Sequence, residues 1–83
     1  MSIEKLLDKS NKVARWPKKP SQKHDVIEYL ATKFDSGERY SEKEINLILD
    51  ENHNFNDSAL LRRELIGRSF LSRKDDGSFY WKL

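Results

Sequence analysis

HNFNDSALLRRELIGRSFLSR, residues 53–73, is the stretch whose reading decides the fold. It divides into a short polar loop, a capped helix and the first strand of a hairpin. Asp57 stands where an N-cap belongs, because its carboxylate can accept from the free N–H groups of a first helical turn. At about 100° per residue, Leu61 and Leu65 share one face, with Leu60 and Ile66 on either side of it. Arg63 then points away from that face, and Arg62 lies at its border, within reach of a neighbouring helix. A leucine-anchored helix that presents arginine outward suits nucleic-acid reading, although from this helix alone a plain solvated surface is the commoner outcome.

Beyond this helix, Phe70-Leu71-Ser72-Arg73 and Phe79-Tyr80-Trp81-Lys82 flank Lys74-Asp75-Asp76-Gly77-Ser78. Aromatic runs around an Asp-Gly turn predict a β-hairpin. Before it, Ser41-Glu42-Lys43-Glu44 has the form of a capping box, in which serine and glutamate satisfy each other's orphan N–H groups. The helix it opens is expected to run to about Glu51, burying Ile45, Ile48 and Leu49. Phe55, two residues before the Asp57 cap, is placed to staple the entry of the next helix. An earlier helix is expected from an N-cap at Ser21 to about Phe34, with Val26, Ile27, Leu30 and Phe34 as its buried stripe. Asp35-Ser36-Gly37 closes it and Arg39-Tyr40 follows as a brief extended piece. Helix, short strand, helix, helix, hairpin is the order of a winged helix-turn-helix, with residues 57–68 in the recognition position and the hairpin as wing. The expected class is α+β: three helices with a C-terminal β-hairpin wing over residues 21–83, preceded by a basic arm over residues 1–20. Within the arm, residues 3–14 offer one or two loose helical turns. Arg15-Trp16-Pro17-Lys18-Lys19-Pro20 must run extended, with Trp16 read as its anchor on the body in preference to a base-stacking residue.

Eighty-three residues make one small domain. With no cysteine there is no disulfide, thiolate metal site or cysteine nucleophile. His24 and His53 are isolated from ligand-like neighbours, so neither a metal nor another cofactor is expected. His53 reads as a hydrogen-bonded loop residue. The start, MSIEKLLDKS, lacks the apolar core of a signal peptide, and no run reaches membrane-spanning length. A soluble cytoplasmic protein is expected. Net charge is +2, unevenly spread. Residues 1–24 hold seven Lys/Arg against two acids, residues 25–57 three against nine, and residues 58–83 six against three, giving +5, −6 and +3. Basic ends around an acidic middle fit either a footprint for a polyanion or an arm folded back on acidic helices.

Five motifs stand in order along the chain: Arg15-Trp16-Pro17-x-Lys19, Tyr40-Ser41-Glu42-Lys43-Glu44-Ile45-Asn46, His53-x-Phe55-x-Asp57, Leu61-Arg62-Arg63-Glu64-Leu65 and Asp76-Gly77-Ser78-x-Tyr80-Trp81. Together, over residues 15–82, they resemble the DUF2087 family. The resemblance implies a bacterial domain of unassigned biochemical function, found alone or fused behind ArsR-type winged-helix repressor domains, and hence a link to transcription regulation. Ser69 departs from the family, which usually has glycine between the helix and the strand. A side chain there would either strain the turn slightly or make it end differently.

Catalysis is not expected, since no nucleophile has a base placed beside it in a chain this small. The candidate nucleic-acid contacts are Arg63, Ser58 and Asn56 toward a groove, Arg73 and Lys74 on the wing, and Lys18, Lys19 and Lys23 as a flexible basic arm on the backbone. Arg62 is expected instead to clamp an acid of the preceding helix, Glu44 or Asp50. Two partner classes follow. One is double-stranded DNA, bound by a non-catalytic regulatory module. The other is a protein partner or a second copy of the chain, with no DNA contact.

Overall fold

The computed structural model describes residues 3–83; the first two residues of the expected arm, 1–20, lie outside them. The elements are α1 (Pro20–Ala31), β1 (Arg39–Tyr40), α2 (Glu42–Asp50), α3 (Ser58–Gly67), β2 (Leu71–Arg73) and β3 (Tyr80–Lys82). The strands form an antiparallel sheet in the order β1-β3-β2. Leu71, Ser72 and Arg73 face Lys82, Trp81 and Tyr80 across the hairpin, and Arg39 and Tyr40 pair with Trp81 and Tyr80 on the other side. Gly77, at φ 74°, takes the left-handed conformation the hairpin turn requires.

The α2 and α3 caps form as the sequence predicts. Ser41 Oγ accepts from Glu44 N at 3.1 Å while Glu44 Oε1 accepts from Ser41 N at 2.8 Å. Asp57 Oδ1 accepts from Leu60 N at 3.2 Å. The bounds of α1 differ from expectation at both ends. Pro20, not a residue after Ser21, opens the helix, and Lys19 is an N-cap without a side-chain bond. Proline fits the first turn because its missing N–H would be unpaired there in any case, and it forces the residue before it to extend. The helix stops at Ala31, where Thr32 Oγ1 donates to Tyr29 O at 2.6 Å. Phe34 is buried as expected, but from the tightened turn beyond the helix, with its ring edge-on to Tyr40 at 5.4 Å. Gly37 has φ 84° and shapes the link into β1 rather than the helix end.

The core joins Val26, Ile27, Leu30, Ala31 and Phe34 to Ile45, Leu49, Leu61, Leu65, Leu71 and Tyr80. Leu6 and Val13 complete it from the N-terminal segment. Residues Ile3–Leu6 make a single 3-10 turn, after which the chain folds back so that Leu7 bridges Val13. Val13 is fully buried, and hiding a valine is worth about 1.5–3 kcal/mol. Its N–H donates to Asn52 O at 2.8 Å and its carbonyl accepts from Asn54 N at 2.9 Å, so it lies parallel to His53 like a one-residue strand. Asp8 fastens the same loop by accepting from Lys12 N, Ser10 N and Asn54 Nδ2. Those bonds, that from Lys12 first and then that from Asn54, hold its carboxyl below the ordinary 3.8.

His53 is the one buried polar or charged side chain among the described residues. Its Nε2 accepts from Asp57 N at 2.9 Å, and its Nδ1 donates to Leu49 O at 2.6 Å. A backbone N–H can only donate and a carbonyl only accept, so the ring is the tautomer protonated on Nδ1. Phe55 packs edge-on against it at 4.6 Å and lies 6.5 Å from Trp16, which is half-buried.

Candidate functional site

The C-terminal half of α3 and the end of β2 border an open concavity of about 370 Å³, lined by Glu42, Arg62, Arg63, Ile66, Gly67, Arg73 and Tyr80. Burial of Leu61 and Leu65 sets the rotation of α3, and that rotation puts Arg63 on its exposed side. Arg73 arrives from the wing, as the β2 partner of Tyr80.

The arginines of this region divide by what they touch. Arg62, at the core border, donates from Nη1 to Asn46 Oδ1 at 2.5 Å, and its Nε lies 3.7 Å from Glu42 Oε1. The expected partners were Glu44 and Asp50. Both are otherwise engaged, Glu44 in the capping box and Asp50 with Ser58 Oγ. The crossing of α2 and α3 instead brings Asn46 and Glu42 opposite Arg62. Arg68 donates from Nε to Glu64 Oε1 at 2.8 Å. Arg63 and Arg73 are exposed and have no ion-pair partner among the described residues. Glu42 is the sole acid lining the concavity, and its Oε1 accepts from the Tyr80 hydroxyl at 3.0 Å. Three guanidinium groups against one carboxylate leave the lining with a formal charge of +2.

The other predicted contacts lie elsewhere. The Ser58 hydroxyl donates to Asp50 and so ties α3 to α2 rather than standing free. Asn56 has φ 52°, a conformation asparagine tolerates, and serves the turn into the Asp57 cap. Lys74 is exposed at the wing tip, 3.9 Å from Asp76 Oδ2. The Ser78 hydroxyl and N–H hold that carboxyl below its ordinary value, which keeps a negative charge beside Lys74. Lys18 and Lys19 line a separate groove with Arg15, Trp16 and Pro17. Lys19 and Lys23 belong to α1, as its cap and within its first turn, rather than to an extended arm, and Lys23 Nζ sits 5.9 Å from the Trp16 ring centre. Of the eight predicted residues, Arg63 and Arg73 share one site.

Sequence reasoning did not mark Glu42, Ile66, Gly67 or Tyr80 as lining residues. Tyr80 and Glu42 are 38 positions apart, and only the packing of the sheet against α2 makes them neighbours. Among the described residues no group of three or more His, Cys, Asp or Glu is placed to hold a metal ion, and no helix is long and apolar enough to cross a membrane.

Three helices and an antiparallel sheet ending in a hairpin define an α+β domain of winged-helix pattern. The chain belongs to the DUF2087 family, described as an uncharacterized protein conserved in bacteria, whose family model matches residues 12–82. Searches of curated proteins and of solved structures each found no match.

Proposed function

We propose that this domain is a non-catalytic nucleic-acid-binding module of the cytoplasm, linked to transcription regulation, that takes double-stranded DNA against α3 and the wing. One observation carries the reading: Arg63 and Arg73, from two different elements, meet on one concavity with no acid paired to either among the described residues. A guanidinium suits both a phosphate and a guanine edge, because its planar fork donates two parallel hydrogen bonds. The test is affinity for a mixed-sequence duplex measured across salt. Phosphate contacts release counterions, so affinity is expected to fall steeply as salt rises, with a slope of about −0.9 per neutralised phosphate. Absence of binding at low salt would refute the proposal.

A second reading has its own support. α2 is acidic, and Leu47 on its outer side is 53% exposed, a large apolar side chain with no cover. That face suits a protein partner or a second copy of the chain, and sedimentation over a concentration series would reveal self-association.

A further inference from the structure

The concavity includes a glycine that the fold does not call for. Gly67 is the last residue of α3, its backbone is not left-handed, and a Cβ built on it would meet nothing within 4 Å. Neither a turn nor close packing within the domain therefore explains the missing side chain. Glycine in such a place forfeits helix stability relative to alanine, because it loses more backbone freedom on folding. The remaining general reason for glycine is close approach of a ligand to the backbone. Gly67 does line the same concavity as Arg63 and Arg73.

Resting on the nucleic-acid reading above, we propose that Gly67 is a contact position, where one backbone phosphate of the bound strand lies directly against the last turn of α3. Arg63 and Arg73, which line the same concavity, supply the cationic contacts to that phosphate. The obvious objection is the helix dipole, since a helix C-terminus carries roughly half a negative charge. Here three of the last four carbonyls of α3 are already occupied. Glu64 O, Leu65 O and Ile66 O accept from Arg68 N, Phe70 N and Ser69 N at 3.0, 3.0 and 3.1 Å. Two arginines outweigh what remains of the half charge. Glu42 forms no ion pair with either arginine among the described residues; its Oε1 accepts from the Tyr80 hydroxyl and lies 3.7 Å from Arg62 Nε.

The experiment is Gly67→Ala, and separately Gly67→Leu, in the whole chain, followed by thermal melts and by binding to a mixed-sequence duplex over a range of salt. The alanine variant is expected to melt higher than the parent, to bind on the order of tenfold more weakly, and to lose about one phosphate from its salt slope. The leucine variant is expected to bind more weakly still. A lower melting point for Gly67→Ala would show that the fold needs the glycine, and would overturn the inference. Unchanged affinity and slope in both variants, with the parent binding, would overturn the role of Gly67 and leave the nucleic-acid reading standing. Failure of the parent to bind at low salt would remove both.

Discussion

Replacing Ser69 by glycine should make this domain more stable, although it removes a side chain and adds no contact. Ser69 follows the α3 cap residue Arg68 and has φ 64°. Ser69 N donates to Ile66 O and Phe70 N to Leu65 O, at 3.1 and 3.0 Å, the two bonds of a Schellman turn. That turn puts its first post-cap residue in the left-handed region, where a Cβ crowds the following carbonyl at a cost of about 1–2 kcal/mol. Glycine removes this strain but leaves the unfolded chain freer, which takes back about 0.5–1 kcal/mol. The net gain expected is about 0.5–1 kcal/mol. Ser69 is exposed and its hydroxyl makes no hydrogen bond among the described residues, so nothing else offsets it. For a domain of this size a gain of that order raises the melting point by roughly 2–8 °C. Thermal and urea melts of Ser69→Gly read it directly, with an unchanged urea m-value showing that the unfolding reaction is the same. Ser69→Val, β-branched and harder to place at positive φ, should shift the melt the opposite way. A melting point that is unchanged or lower in Ser69→Gly would refute the argument, since the serine would then carry no strain.

Two further perturbations test the site and the N-terminal segment. Arg62→Ala should destabilise by about 1 kcal/mol, through loss of the charge-assisted bond to Asn46, whereas Arg63→Ala should stay within about 0.5 kcal/mol and weaken duplex binding; paired melts and isotherms with the reverse pattern would mean that α3 is rotated from its described position. Because the Asp8 carboxyl is held below its ordinary 3.8, its contribution to stability is present above that pH and lost as pH falls through the lower folded value. The melting difference between the parent and Asp8→Ala should therefore shrink as pH is lowered from neutral through 3.8 and below, and a constant difference would show that ionisation of Asp8 does not favour the fold.

What the sequence disclosed was what short-range chemistry specifies. The Ser41 box, the Asp57 cap, the Leu61–Leu65 stripe and the Asp-Gly hairpin each depend on residues a few positions apart, and each stands in the fold as read. The helix order followed from them, and Arg63 fell on the exposed side because the leucines fix the rotation. The start of α1 was misplaced because Ser21 is a good cap in isolation and Pro20, one residue earlier, is a better first residue. The partner of Arg62 was missed for a different reason. Asn46 and Glu42 stand on the same helix as the expected Glu44 and Asp50, and only the crossing of α2 and α3 selects between them. Likewise nothing local tells that Ser58 turns back to Asp50, or that Val13 enters the core beside His53.

His53 makes the turn between α2 and α3 a strut rather than a hinge. Its ring is bonded at one edge to the last full turn of α2 and at the other to the residue that caps α3. An imidazole is planar and does not lengthen, so the gap between those helix ends is set by the width of a heteroaromatic ring. The Val13 segment, paired to the backbone on both sides of His53, braces the strut from behind. The orientation of α3, and with it the aim of Arg63, is thus referenced to a rigid part at the N-terminal end of α3, whereas the concavity borders its C-terminal half.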